Sequence, residues 1–254
     1  MYDKRKKFIY QFLNQNITST PPVAEKSISF DGSSTYVQLG MVKADIDTLI
    51  GGGTITTMPY FTIAWDMVVP SDVGLSKTII GFARTAGSVP RWEIRTHDTN
   101  ADRLWLNIRN DAFTTTGIKA SAKQFDFDTL VHCAMVCRER TSFSNPWITY
   151  DLYIDGVLAM TYDKFENGTF TWATAAIGAV LSNTTQNYAK LKMDNLRLFN
   201  RNLSGAEVAG LYGGSPTTSG LVAYYKFEDD YTDEQNNYDG TASTPAPSFV
   251  DSIV

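Results

Sequence analysis

From Ser27 onward, apolar and polar residues alternate with a period of two rather than the 3.6 of an amphipathic helix. Ile28 and Phe30 alternate with Ser27 and Ser29 and stop at the turn pair Asp31-Gly32, after which Tyr36-Val37-Gln38-Leu39 resumes the pattern. Phe61, Ile63, Trp65, Met67 and Val69 share one face of a strand closed by Pro70. Leu104, Leu106 and Ile108 do the same within 103–109, and Leu152 and Ile154 within 150–155, which turns at Asp155-Gly156. In 191–199 the apolar parity shifts between Met193 and Leu196, so a bulge is expected near Asn195. Many short strands punctuated by Gly, Asn, Asp and Pro predict an all-β domain of two packed antiparallel sheets.

Two stretches break this rhythm. Ser204-Gly205-Ala206-Glu207 opens a helix over 204–212 with a capping box, Ser204 as N-cap and Glu207 at the third position, and Gly213-Gly214 ends it. It is the one helix expected in the body. Residues 2–13 read as a short amphipathic helix, because Phe8, Ile9, Phe12 and Leu13 gather on one side while Lys4, Lys6 and Lys7 stay largely off it. A helix so short needs a surface for its stripe. That surface is either its own domain or a partner subunit, and in the second case these four apolar residues are the anchor. Ser19-Thr20-Pro21-Pro22 ends the segment, so the expected division is an N-terminal segment over 1–22 and a sandwich over 23–254.

Composition narrows the functions. With 43% hydrophobic and 19% charged residues, the 254-residue chain has the make-up of an ordinary globular protein with a sizeable core. Asp3 against Lys4, Arg5, Lys6 and Lys7 leaves residues 1–16 at +3, so the rest carries −8 of the net −5. An acidic body repels phosphate, which argues against nucleic acid as a partner. Two histidines exclude a three-His metal centre. Cys133 and Cys137 share a strand face but lie too far apart along it to bridge, so buried free thiols are expected. No run approaches the roughly 18 apolar residues of a membrane span. Phe8-Ile9-Tyr10 is broken by Gln11 before it could serve as a secretory core, so synthesis in a cytoplasm without the usual export route is expected.

The order of motifs resembles a known family. Phe30-Asp31-Gly32, Tyr36-Val37 and Phe61-Thr62-Ile63-Ala64-Trp65 resemble the opening of laminin-G-like domains of the concanavalin A-like lectin/glucanase superfamily. Val131-His132-Cys133-Ala134-Met135-Val136 is similar to the family's "WHHVAV" strand, with Val131 in place of the usual Trp. Leu152-Tyr153-Ile154-Asp155-Gly156 resembles its "LYVDG" hairpin. Ile177-Gly178, and Met193 through Ser204 with Glu207, resemble "IDDVRIYNRALSxxE". The resemblance covers roughly 27–212 and implies a two-sheet jelly-roll sandwich. Gly220-Leu221-Val222-Ala223-Tyr224-Tyr225, with Asp233, Asn237 and Asp239-Gly240, is similar to a stretch that usually precedes the first strand, yet here it follows the domain. Residues 220–254 would then supply permuted C-terminal strands to the same sandwich, or pair with another chain in a swapped oligomer.

Candidate chemistry is sparse. Family 16 glycosidases of the superfamily aim carboxylates from one strand at one sugar. The nearest counterpart, Glu228-Asp229-Asp230-Tyr231-Thr232-Asp233, ends in Asp and lies in a polar loop, so no catalytic residue is expected. Many laminin-G-like sandwiches bind calcium through rim loops, and Asp233, Asn236 and Asn237 with Asp31 have the oxygen chemistry for it, or simply brace their own turns. Trp105 points away from Leu104, Leu106 and Ile108 together with Arg103, Asn107 and Arg109, and Tyr153 has the same relation to Leu152 and Ile154. A flat ring among planar donors is what a glycan-binding face requires, unless the rings are covered by a neighbouring subunit.

Three functions follow as expectations. The first is a non-enzymatic virion surface protein, such as a phage head fibre, decoration protein or tail-associated adhesin. Such a homo-oligomer, assembled in the host cytoplasm and exposed outside it, would be held to other virion subunits by the N-terminal segment and bind glycans or proteins. A bacterial carbohydrate-binding module, secreted or on the cell surface, is the second, and a glycoside hydrolase the third.

Overall fold

The structure, a computed structural model, describes residues 26–51, 53–54, 60–84, 91–109, 115–121, 124–140, 147–165, 169–181 and 187–253. In chain order the elements are β1 (Lys26–Asp31), β2 (Val37–Gln38), α1 (Lys43–Ile50), β3 (Gly53–Thr54), β4 (Phe61–Val68), β5 (Thr78–Ala83), β6 (Arg91–Thr96), β7 (Leu104–Arg109) and β8 (Thr115–Ala120). There follow β9 (Leu130–Arg140), β10 (Trp147–Ile154), β11 (Val157–Phe165), β12 (Thr169–Phe170), β13 (Thr174–Ile177), β14 (Lys190–Phe199), α2 (Gly205–Tyr212), β15 (Leu221–Tyr225), β16 (Thr241–Ala242) and β17 (Ser248–Asp251). The anchor residues expected at Phe8, Ile9, Phe12 and Leu13 lie outside the described residues.

Two antiparallel sheets form a sandwich. One runs β11-β10-β9-β4-β14-β1-β17, with β15 also on β14, and the other runs β16-β2-β13-β5-β6-β7-β8. Their inner faces are the apolar parities expected from alternation. Phe61 of the eight-stranded sheet meets the edge of Trp92 at 5.7 Å between centroids, and Phe82 meets the same indole at 5.6 Å from within the other sheet. Cys133 and Cys137 are buried free thiols on β9. The parity shift near Asn195 is a bulge: the β14–β4 register slips between Asp194 and Arg197, and Asn195 takes φ +50°.

The C-terminal strands pair within the chain. β15 lies on β14, β16 on β2 and β17 on β1, where Lys26 faces Asp251 and Ile28 faces Phe249. Gly40 marks how closely this segment approaches, since a Cβ there would sit 2.3 Å from the Asp239 carbonyl oxygen.

α2 has the expected caps. Ser204 Oγ accepts the Glu207 N–H at 3.3 Å, and Glu207 Oε2 accepts the Ser204 N–H at 2.8 Å. The helix lies on the outer face of the eight-stranded sheet, where Val208 and Leu203 pack with Ala64, Ala134, Val136 and Phe199. That is why β4 is buried on both faces. The expectation of one helix in the body is corrected by α1. Ile46, Leu49 and Ile50 form its buried stripe, but Val42 stands at the N-cap, so the usual start signal is missing. The Asp45 carboxylate accepts the Val42 N–H at 2.9 Å instead.

Gly178 sits at φ +78° against the Phe30 ring, and an added Cβ would lie 2.5 Å from Phe30 Cδ1. Gly178→Ala would combine a left-handed backbone with overpacking against a buried ring, for a loss of about 3 kcal/mol in denaturant melts. A loss below about 1 kcal/mol would mean the ring moves freely.

Candidate functional site

The outer face of the seven-stranded sheet holds most of the expected glycan residues. β6 and β7 are in register with Arg95 opposite Trp105, Glu93 opposite Asn107 and Arg91 opposite Arg109. Because Trp92, Ile94, Leu104, Leu106 and Ile108 take the core side, Glu93, Arg95, Trp105, Asn107 and Arg109 face outward. The half-buried indole of Trp105 stacks on His97, with centroids 4.8 Å apart and planes 29° apart. The Arg95 guanidinium carbon stands 4.6 Å from the indole centroid, a cation–π arrangement. Arg103, just ahead of β7, and Arg109 are partly exposed.

Asn107 departs from its expected role as an exposed donor. It is fully buried, and its Nδ2 donates to Glu93 Oε1 at 2.5 Å. Glu93 is also fully buried and accepts from Thr78 Oγ1 at 2.8 Å, while Arg95 Nη1 lies 3.7 Å away. A carboxylate at the floor of the sheet therefore orients Asn107 and attracts Arg95. Strand β6 escaped the sequence reading although Arg91, Glu93 and Arg95 alternate with Trp92 and Ile94. That alternation was the signal for Glu93, Arg95 and His97 as neighbours of Trp105.

Tyr153 must be separated from this group. It alternates as expected on β10, but β10 belongs to the eight-stranded sheet, so its ring projects from the opposite side of the sandwich to Trp105. There it packs against the buried cluster of Ala64, Ala134, Val136 and Val208 beside α2 and lines the cleft next to that helix.

The expected calcium ligands brace their own loops. Asp233 is buried, and its carboxylate accepts backbone N–H groups from Tyr224, Gln235, Asn237 and Tyr238 at 2.7–3.2 Å. Asn237 Nδ2 donates to the Val222 carbonyl, and Asn236 occupies a turn at φ +56°. Asp31 Oδ1 accepts from the N–H groups of Ser33, Ser34 and Thr35, and Oδ2 from the hydroxyls of Ser33 and Ser34. Burial would raise the Asp31 pKa, but the Ser34, Ser33 and Thr35 donors together hold it well below the usual carboxylate range. Oxygens so occupied do not fit a cation, and among the described residues no cluster of His, Cys, Asp or Glu suits a metal ion.

A second polar group lies on the opposite side, in a cleft between the eight-stranded sheet and α2. Register places Asp194, Asp66 and His132 side by side across β14, β4 and β9. His132 Nδ1 and Asp66 Oδ1 are 2.5 Å apart, and the imidazole meets Tyr212 of α2 edge-on at 5.0 Å. The hydrogen bond to Asp66 raises the His132 pKa against the opposing effect of burial. Asp194, 4% exposed, has its pKa pushed up to about 7 by burial, although the Asn195 N–H and the Ser27 hydroxyl favour its charged form. Arg197 spans the rest of the cleft floor over the Tyr224 ring, 4.4 Å from its centroid. Sequence reading missed this row, because each member occupies an unremarkable polar position on its own strand.

Among the described residues no helix is long and apolar enough to cross a membrane. Among curated proteins none matches this sequence. Among solved structures, a candidate carbohydrate binding protein from Bacteroides ovatus superimposes with a TM-score of 0.60 at 15% identity, over 91% of this chain. The chain spans 61% of that protein's length. The heptameric SAP-like pentraxin of Limulus polyphemus gives 0.53 at 12% identity, over 87% of this chain and 95% of the pentraxin. The CBM40 module of a Ruminococcus gnavus sialidase, bound to α2,3-sialyllactose, gives 0.51 at 12% identity, over 65% of this chain and 93% of the module. Identities this low establish shared architecture. The family model for laminin-G-like domains of type 3 matches residues 31–209, and the chain belongs to this family of the concanavalin A-like lectin/glucanase superfamily.

Proposed function

We propose that the protein is a non-catalytic attachment module that binds glycans through the outer face of its seven-stranded sheet, displayed on the surface of a virion. The observation that carries the glycan reading is Trp105, a half-buried indole flanked by Arg95 and His97 on that face, with Arg103 two residues ahead of it in the chain. It supplies the flat apolar platform and planar donors that sugar rings stack on and bond to. The absence of catalysis is supported by the same sheet. Among its strands β2, β5, β6, β7, β8, β13 and β16, Glu93 is the sole carboxylate, and it is committed to Thr78 and Asn107. Glycoside hydrolysis by the usual mechanisms needs two carboxylates flanking one bond.

The virion setting rests on the two buried free thiols, which suit folding in a reducing compartment, and on the basic apolar pattern of residues 2–13, which suits attachment to a larger particle. Labelling purified particles with an antibody against the sandwich tests that setting, and unlabelled particles would overturn it. For the glycan reading, Trp105→Ala is expected to weaken glycan-array binding at least about tenfold, the loss of one stacking ring, with the melting temperature little changed. Unaltered binding would remove this face from consideration.

A further inference from the structure

The cleft between α2 and the eight-stranded sheet has an apolar rim open to solvent. Tyr153, Leu211 and Tyr212 line it, and Leu158 stands opposite Tyr153 across β10 and β11, so both project from the outer face of the sheet. Leu158 and Tyr212 are each 50% exposed, and Tyr153 and Leu211 partly so. Large apolar side chains gathered around a concavity mark a surface that another element covers. With its open mouth the cleft measures about 310 Å³, at the low end of the about 300–1,000 Å³ of ligand pockets. That size suits single side chains of a docked segment better than a free small molecule.

The described chain begins beside this cleft. Ser27 Oγ donates to Asp194 Oδ2 at 3.0 Å, and Asp194, Asp66 and His132 continue the row across β14, β4 and β9. From β1 to β9 is three strand spacings, about 14 Å. β15 takes the places on β14 from Leu196 onward, so the place of β1 beside β14 ends near Lys26. Residues 14–25 span up to about 40 Å when extended, which puts the stripe of Phe8, Ile9, Phe12 and Leu13 within reach of the cleft. A tether of that length gives an effective concentration of about millimolar, which favours the chain's own stripe over that of a second copy. Charge agrees. Lys4, Arg5, Lys6 and Lys7 precede the stripe, and partly exposed Asp155 accepts the His132 N–H at 3.1 Å beside the cleft. Glu228 accepts the Lys26 N–H at 2.9 Å, and exposed Asp229 and Asp230 follow it. The cations nearby are engaged, Arg197 with Asn195 and the Tyr224 ring, and Lys226 with Glu234 at 3.3 Å.

We propose that in the free subunit residues 2–13 dock in the α2 cleft of their own chain, with the apolar stripe against Tyr153, Leu158, Leu211 and Tyr212. Docking of this kind goes beyond virion attachment and does not depend on it. One stripe covers one surface at a time, so the docked form is the unassembled one, and a larger particle competes with the cleft for the same four residues.

The test is hydrogen exchange of the full chain, read by mass spectrometry. Amides of residues 8–13 are expected to exchange at least about tenfold more slowly in the parent than in a Phe8→Asp, Phe12→Asp variant. Peptides covering 153–158 and α2 are expected to exchange faster in that variant, with the melting temperature unchanged. Leu158→Asp, at an exposed position on the other side of the contact, is expected to release residues 8–13 to the same extent. High salt weakens the protection, and dilution of the protein leaves it intact, because the contact lies within one chain. Residues 8–13 that exchange as fast in the parent as in the double variant would overturn docking. Protection that survives both Leu158→Asp and Tyr212→Ser would overturn the choice of the α2 cleft. Protection that falls on dilution would make a second copy the occupant and overturn the same-chain contact. Antibody labelling of particles reads virion attachment separately, so either idea can fail without the other.

Discussion

Removal of residues 215–254 is expected to leave a chain with no cooperative thermal transition and with strong binding of hydrophobic dyes. The cut deletes β15, β16 and β17, which occupy places on β14, β2 and β1. Tyr225 and Phe227, 0% and 1% exposed, go with them, as does the Phe249 ring that packs on Tyr231 at 5.1 Å. Each fully buried aromatic contributes about 1.5–3 kcal/mol. Together with three lost strand pairings, the deletion approaches a typical net stability of about 5–15 kcal/mol. Truncation alone could fail for trivial reasons, so a permutant provides the control. Lys26 faces Asp251 across β1 and β17, and the Ile253 N–H donates to Ser27 Oγ at 3.0 Å, so a short linker can join the two ends. A chain running 215–253, linker, 26–214 is therefore expected to melt within a few degrees of the parent. A truncated protein that still unfolds cooperatively would show that these strands are ornaments on a core complete without them.

The second large effect is a decline in stability as pH rises from about 4 to 7. Asp194 has a folded pKa near 7 against an ordinary value of 3.8, because burial disfavours its charge and Asp66 and Glu228 add repulsion. Between these values the folded protein keeps a proton that the unfolded chain releases, so rising pH favours unfolding, and above about 7 the cost is constant. A rise of this size corresponds to at most about 4 kcal/mol, less whatever solvent screening removes. His132 acts in the same direction, since its raised pKa gives stabilisation that is present below 6.5 and lost as pH climbs through the higher folded value.

On the acid side the signs reverse. Asp31 is depressed by its loop donors, and Glu207 is held at about 2 by Arg201 and by the Ser204 N–H and hydroxyl. Their stabilisation is lost only as pH falls below the ordinary carboxylate range, which places the optimum near pH 4. Asp194→Asn keeps an acceptor for the Asn195 N–H and a polar contact to Ser27 while removing the charge. Urea melts of this variant are expected to show a gain of about 2–4 kcal/mol at pH 8 and little change at pH 4. Equal stability of the parent at pH 5 and pH 8 would refute this reading of the Asp194–Asp66–His132 row.

Alternation alone placed Ile28, Phe30, Trp65, Leu106 and Ile154 in the core, and the turn at Asp155-Gly156, the caps of α2 and the bulge at Asn195 were readable because each is a local property. A period of two, a left-handed turn residue and a capping box spanning Ser204 to Glu207 involve only neighbours along the chain. α1 was not readable, since Val42 stands where a polar N-cap would announce it and the helix is held by the buried side of Ile46, Leu49 and Ile50.

The functional faces depended on tertiary structure for a different reason. Alternation reports that a residue points outward, but not from which sheet, so Trp105 and Tyr153 look alike in sequence and emerge on opposite sides of the sandwich. The grouping of Glu93, Asn107 and Trp105, and the row of Asp66, His132 and Asp194, arise from register between strands, and strands distant in sequence find that register only through packing of their inner faces. The sequence by itself determined a two-layer β body with its turns and caps. The meeting of charged groups across neighbouring strands was decided by the assembled sheets, because long-range pairing is a property of the whole core and of no single segment.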